Sequence, residues 1–269
     1  MSNSLYVLKT GEAAIETLEF QHKYLAKASY DQLNRAGLKE GQTIWDVGCG
    51  VGVMTEYLAK AVGEHGMIYA LDVSSEQLNV AKERILKSGL NNVTFIKGNI
   101  SEIDNLPINS ADIVYSRLIL MHLQTPENAI KKMYSLLKSN GVLLLQESTI
   151  STSHICEGGV NLDDYFQTLI NIGKNKGVDF NIGANLPFLC NKIGYTKIEH
   201  YTSQYKHTAI ESKHMLLSWL MAWQDKAIEF NLATKKKIDM WKNKILSFPD
   251  DTSIYYSGAE QTHVLIWKR

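Results

Sequence analysis

The sequence predicts an α/β protein, a doubly wound, mostly parallel sheet of seven strands that carries helical cap insertions. Three observations lead there. Between Thr43 and Glu147, short apolar β-rich runs alternate with helical patterns, the mark of parallel strands joined by crossover helices. A glycine-rich turn, Gly48-Cys49-Gly50-Val51-Gly52, follows the first of those runs and opens a helical pattern. The composition, 45% hydrophobic and 21% charged over 269 residues with neither low-complexity tract nor internal repeat, excludes disorder, collagen and coiled coil and leaves one large core in a single domain.

The elements follow in order. Ile15, Leu18, Leu25, Ala28 and Leu33 fall at helical spacing, so residues 11 to 36 are expected to lie against the sheet as amphipathic helix. Strands are expected at Thr43 to Val47, Met67 to Asp72, Val93 to Lys97, Asp112 to Ser116 and Val142 to Glu147. Each is short and mostly apolar, as strands covered on both faces are. Between them Ser74 and Gln77 spell a capping box, Thr125-Pro126-Glu127 an N-cap with proline at the first helical position, and Gly89 and Gly141 stand where helices stop. After the fifth strand the alternation loosens. A helix is expected near Leu162 to Asn175, another from Ala184 to the break at Gly194, and an alternating strand from Thr196 to Tyr205. A helical segment over residues 210 to 247 and a last strand, Thr262 to Trp267, inserted beside the others, complete the chain.

Charge and cysteine usage narrow the partners. Lys+Arg and Asp+Glu both number 28, with arginine only at 35, 84, 117 and 269, so there is no positive excess to release counterions from a nucleic acid or an anionic membrane. The run Lys235-Lys236-Lys237, with Lys242 and Lys244, reads as the solvated face of a helix, a basic strip for RNA being the sharper alternative. Cys49, Cys156 and Cys190 lack paired spacing, which suits a reducing compartment and points to the cytoplasm. His154 and Cys156 have no third ligand at suitable spacing, so no metal site is expected. The opening Met1-Ser2-Asn3-Ser4 lacks a basic patch ahead of an apolar core, and no apolar run approaches the roughly 18 residues of a membrane span.

The chemistry concentrates in Ile44-Trp45-Asp46-Val47-Gly48-Cys49-Gly50-Val51-Gly52. Glycines there permit unusual φ and remove the Cβ atoms that would block a ligand, while the helix beyond presents free N–H groups. Asp72 ends the second strand, where a carboxylate can accept from both hydroxyls of a ribose, so the pair points to an adenosine-type ligand. A dinucleotide turn would want glycine at the sixth position from Gly48, where Val53 stands. Asp46, just ahead of the glycines, would repel a pyrophosphate and tolerate a cationic ligand.

This pattern resembles motif I of the class I S-adenosylmethionine-dependent methyltransferases, whose acidic-x-Gly-x-Gly-x-Gly turn is matched by Asp46, Gly48, Gly50 and Gly52. Leu71-Asp72-Val73-Ser74 resembles the family's second strand end, which implies Asp72 on the ribose hydroxyls and Val73 against adenine. Phe95-Ile96-Lys97-Gly98-Asn99-Ile100 resembles the segment beside adenine, with Asn99 where the family more often carries Asp, so a carboxamide replaces a charged acceptor. Ala111-Asp112-Ile113-Val114-Tyr115-Ser116 resembles the fourth strand, after which Ser116 and Arg117 are implied near the methionine moiety, and Leu136 to Leu143 resembles the entry to the fifth strand. Tyr6-Val7-Leu8 with Leu18 and Gln21 is similar to the opening of small-molecule methyltransferases in which the N-terminal helix lids the cofactor.

The resemblance implies a Rossmann-like methyltransferase fold, with residues 1–36 as a helical lid and 37–150 as the cofactor core. Residues 151–269 would supply the rest of the sheet plus cap segments near 151–183 and 208–250. It implies S-adenosyl-L-methionine as cofactor and S-adenosyl-L-homocysteine as product, held by Tyr6, Gln21, Asp46, Gly48, Cys49, Gly50, Asp72, Val73, Gln77, Gly98, Asn99, Ile100, Ser116 and Arg117. Methyl transfer is an in-line displacement, so a base is needed only where the acceptor loses a proton. His122, beyond the fourth strand, is the candidate base or else a packing residue. Glu147, ending the fifth strand, is a candidate for the acceptor or an ordinary strand-end carboxylate. Tyr165, Phe166, Tyr255 and Tyr256 either line the acceptor pocket or pack the cap. The enclosing segments favour a small-molecule acceptor; an RNA or protein methyltransferase and a non-catalytic cofactor-binding protein are the alternatives, and a homo-oligomer is left open.

Overall fold

The computed structural model describes residues 12–156, 160–251 and 253–269. Helix α1 (Glu12–Arg35) leads into strands β1 (Thr43–Val47), β2 (Met67–Asp72), β3 (Val93–Lys97), β4 (Ala111–Arg117) and β5 (Leu137–Thr149). Helices α2 (Val53–Val62), α3 (Ser75–Lys87) and α4 (Pro126–Leu136) alternate with them. Beyond lie β6 (His154–Ile155), α5 (Asp163–Asn175), α6 (Ile182–Ile193), β7 (Ile198–Ser203), β8 (Lys206–Thr208), α7 (Ala209–Glu229), α8 (Lys235–Leu246), β9 (Ile254–Ser257) and β10 (Glu260–Trp267).

The main sheet has seven strands in the order β3-β2-β1-β4-β5-β10-β7, the doubly wound arrangement expected. Its first five strands run parallel, and β10 enters antiparallel between β5 and β7. Alternate side chains go to opposite layers. Ile44, Ile68, Ile113, Tyr115 and Leu144 pack with Leu33 of α1 and Leu58 and Val62 of α2. Trp45, Val114, Leu143 and Leu145 face the layer of Ile130 and Met133 of α4, Leu186 of α6 and the helices beyond.

Several local readings differ from the sequence expectation, each for a physical reason. Ser74 accepts from Gln77 N at 3.3 Å as a cap should, but the Thr125 side chain makes no cap bond and Pro126 alone marks the start of α4. Gly141 does not stop a helix: α4 ends at Leu136, Gly141 lies within β5, and the left-handed residue is Asn140 at φ 66°. The helical segment over 210 to 247 is two helices, broken where Asn231 turns left-handed and Thr234 caps α8 by accepting from Lys237 N. A second, three-stranded antiparallel sheet, β6-β9-β8, has no counterpart in the sequence reading. Its strands are two to four residues long, too short for an alternation to register.

Candidate active site

β1 delivers the chain into the glycine turn with Gly48, Gly50 and Gly52 at φ 76°, 53° and 79°. Gly48 N and Cys49 N donate to Leu71 O at 2.7 and 3.1 Å, tying the turn to the tip of β2. A Cβ on Gly48 would stand 2.0 Å from Ile119 Cδ1, and one on Gly52 2.7 Å from Ala81 Cβ. Both positions therefore need glycine for space as well as for φ.

The turn is bracketed by two buried carboxylates. Asp72 Oδ2 accepts from Gly50 N at 2.9 Å and Oδ1 from Ser74 N at 2.8 Å, so β2's last residue is locked to the turn and to the start of α3. Burial pushes its pKa up, against these backbone bonds. Asp46 accepts from Thr55 Oγ1 at 2.6 Å, and burial raises its pKa to about 6 while the Thr55 bond and the nearby Arg117 charge pull it down.

A cavity of about 910 Å³ opens at the carboxyl ends of β1, β2 and β4, where such sheets bind ligands. Gln21, Asp46, Gly48, Cys49, Gly50, Asp72, Val73, Gln77, Gly98, Asn99, Ile100, Arg117 and His122 all line it. Leu18 joins Gln21 from α1. Tyr6 lies outside the described residues. Asn99 has its amide engaged in its own loop: Oδ1 accepts from Ser101 N and Nδ2 donates to Glu102 Oε1, both at 3.0 Å. Glu102 lines the cavity and was not anticipated.

Two expected site residues sit elsewhere. Ser116 is fully buried and is not among the described residues that line the cavity. Glu147 is likewise buried away from it, and its carboxylate accepts from Ile119 N at 2.9 Å, Leu120 N at 2.7 Å and Met121 N at 3.3 Å. Glu147 thus holds the backbone of the short helical turn that carries His122, rather than facing a ligand. Burial raises its pKa to about 7, the three backbone bonds working the other way. His122 lines the cavity with its ring edge-on to Phe180, centroids 5.5 Å apart. Burial first, and the Lys176 charge second, lower its pKa to about 4, so the imidazole is neutral near pH 7.

The far half of the cavity is walled by Leu123, Ile150, Leu169 of α5, Phe180, and Trp219 and Trp223 of α7. The two tryptophans, one helical turn apart, carried the only signal that could have found them, an i, i+4 aromatic pair in the cap segment. Tyr165 and Tyr256, for which the sequence left open lining the acceptor pocket or packing the cap, pack the cap and are not among the described residues that line the cavity. Tyr165 donates to Leu216 O at 2.8 Å and stands edge-on to Trp223 and Trp241, and Tyr256 stacks on Phe166. The lysine run is on α8, with Lys237 paired to Asp164. Among the described residues no cluster of His, Cys, Asp or Glu is arranged to hold a metal ion, and no described helix is long and apolar enough to cross a membrane.

A family profile described as a methyltransferase domain matches residues 38–204. Demethylmenaquinone methyltransferase of Geobacillus stearothermophilus is 32% identical over 122 residues, 45% of this chain and 52% of that protein. The chain therefore spans about half the length of the curated relative it matches. The crystal structure of YcgJ from Bacillus subtilis covers 91% of this chain and 99% of its own, at TM-score 0.59 and 15% identity. That of Haemonchus contortus phosphoethanolamine N-methyltransferase 2, in complex with phosphomonomethylethanolamine and S-adenosylhomocysteine, covers 90% of this chain and 52% of its own, at TM-score 0.56 and 21% identity. At these identities the structural likeness shows the fold alone. With the profile covering more than half of its length, from the turn before β1 to the end of β7, the chain belongs to the methyltransferase domain family.

Proposed function

We propose that the protein transfers a methyl group from S-adenosylmethionine to a small, largely apolar acceptor bound in the same cavity. The observation that carries this reading is the cavity's division. One half is built from a glycine turn and carboxylates, the other from indole, phenyl and aliphatic side chains, within a volume that suits a nucleoside and a small acceptor together. The donor set fits the cofactor. Each Asp72 oxygen keeps a lone pair beyond its backbone bond for a ribose hydroxyl, Val73 and Ile100 line the cavity with apolar side chains that suit an adenine, and the Arg117 guanidinium suits an α-carboxylate. A Cβ on Gly50 would stand between Gln77 and Leu18, which line the cavity, so glycine at position 50 leaves the backbone open to close approach.

When bound, S-adenosylmethionine supplies an electrophilic methyl on a sulfonium. The chain's own part is to hold, align and dry. Asp72 and Arg117 would grip the two ends of the cofactor, while Leu18 and Gln21 of α1 would exclude water over it. His122, neutral and edge-on to Phe180 of the apolar half, is the group able to take a proton from an acceptor that must lose one. Glu147 acts on it indirectly, through the backbone from Ile119 to Met121. The relative's name supports a ring-bearing acceptor, which the faces of Trp219 and Phe180 suit.

Incubating the protein with methyl-labelled cofactor in a lysate, then fractionating, tests the reading. Label should appear in small molecules. Label in RNA or protein would replace the acceptor class, and cofactor binding without any label transfer would replace catalysis with cofactor sensing.

A further inference from the structure

Arg117 is a half-buried cation at the cavity floor whose support comes from α1, far away in sequence. Its Nη2 donates to His22 Nδ1 at 3.3 Å and its Nη1 to Ser29 Oγ at 3.2 Å, across 95 and 88 residues of chain. Arginine ion pairs among the described residues are made by Arg35 and Arg84, with Glu199, Glu19 and Glu56, and Arg117 is in none of them. Two neutral acceptors therefore orient this guanidinium, and the Asp46 carboxyl feels its charge without forming an ion pair with it, which leaves the fork open to an anion in the cavity.

Both acceptors are themselves fixed. His22 receives from Arg117 at Nδ1, so its proton is on Nε2, facing Tyr30 Oη at 3.3 Å. Tyr30 stacks on Tyr57 of α2 with centroids 4.0 Å apart. Ser29 donates to Gln146 Oε1 of β5 at 2.7 Å. One helical turn on, Gln32 donates to Leu145 O and Val264 O at 3.0 and 3.1 Å and faces His263 Nδ1 at 3.3 Å. His263 in turn meets Ser203 Oγ at 2.8 Å. Two sets of polar contacts thus seat α1 on the sheet, one through Gln32 to β5, β10 and β7 and one through Ser29 between β5 and Arg117.

We infer that His22 and Ser29 are positioning residues that aim the Arg117 guanidinium at the carboxylate of the cofactor's amino-acid tail, so that α1 must be seated on the sheet for that end of the cofactor to be held. The inference rests on the reading of the cavity as a cofactor site. Neither residue touches the cofactor; both act through Arg117. A bidentate guanidinium–carboxylate contact depends on the plane and reach of the fork, so a guanidinium left to swing loses specificity for the carboxylate while leaving the adenosine half untouched.

Titration calorimetry with S-adenosylhomocysteine and with its decarboxylated amine separates the two ends of the ligand. The wild type should prefer the carboxylate-bearing ligand by about tenfold or more, the value of a charge-assisted contact. Arg117→Met should abolish that preference. His22→Leu and Ser29→Ala should each shrink it about threefold or more without changing affinity for the decarboxylated amine, and His22→Asn, whose amide oxygen can replace Nδ1, should restore most of it. Circular dichroism and thermal melting establish that each variant is folded. If Arg117→Met removes the preference and the His22 and Ser29 variants keep it, the positioning inference fails while the cofactor reading stands. If both ligands weaken equally in those variants, their role is structural and the inference is overturned. If Arg117→Met leaves the preference intact, the assignment of Arg117 and the inference built on it fall together, and failure of the wild type to bind either ligand would overturn the cofactor reading itself.

Discussion

The two halves of the cavity are made of different material. The half at the β1 and β2 tips is backbone-built: positive-φ glycines, amides pinned to Leu71 O, and Asp72 clamped between Gly50 N and Ser74 N. The half under α5 and α7 is side-chain-built, from Leu169, Phe180, Trp219 and Trp223. A backbone cradle tolerates almost no substitution and recognises one shape. A wall of side chains on helices can change its residues and keep its fold, so on the proposed reading it is where acceptor choice would be set.

The largest effect that would break this contrast is expected at Gly48. Gly48→Val drives side-chain atoms into Ile119 and forces a β-branched residue to φ 76°, and should abolish S-adenosylhomocysteine binding in calorimetry while lowering unfolding free energy by about 1 to 3 kcal/mol. Next comes Asp72→Asn, which replaces a charged acceptor by an amide and should weaken that ligand by about 1.5 to 3 kcal/mol, or about ten- to a hundredfold. On the other wall, Trp219→Ala should leave S-adenosylhomocysteine affinity within about twofold. The same variant should raise the acceptor KM about tenfold once an acceptor is in hand.

The smallest effect sharpens the contrast by sign. His122, on the acceptor side, is held by burial at a pKa of about 4, below 6.5 in the unfolded chain. The unfolded state therefore takes up the proton first, and stability present above about pH 6.5 is lost as pH falls toward 4. Asp46, on the cofactor side, is raised by burial to about 6 from 3.8, so the folded state keeps a proton that the unfolded state has released, and stability is lost as pH rises from 3.8 to 6. Denaturant melts across this range should show His122→Gln and Asp46→Asn removing slopes of opposite sign, each at most about 1.4 kcal/mol per pH unit. Equal signs would contradict the burial argument for one of them.

What the sequence disclosed follows the same division. β1, β2 and β3 begin and end at the expected residues because each is punctuated locally, by Gly48, by Ser74 and by Gly98. The cradle residues are legible because a turn and a strand end are short-range features. Glu147 could not be read, since its role depends on three amides of a turn 26 to 28 residues upstream that fold back onto it. Nor could the Arg117 support or the Trp219 wall, which exist only once α1 and α7 have packed. The short β6-β9-β8 sheet escaped for the same reason, its pairing being wholly non-local.

The central claim is that the glycine turn and Asp72 cradle the nucleoside while the aromatic half of the cavity stays free for the acceptor. A crystal structure of the complex with S-adenosylhomocysteine tests this most directly. The account predicts ribose hydroxyls within hydrogen-bonding distance of both Asp72 oxygens, the tail carboxylate on Arg117, and the space beside Trp219 and Phe180 unfilled. A nucleoside bound between the tryptophans, or anywhere away from the Gly48 to Gly50 turn, would contradict it.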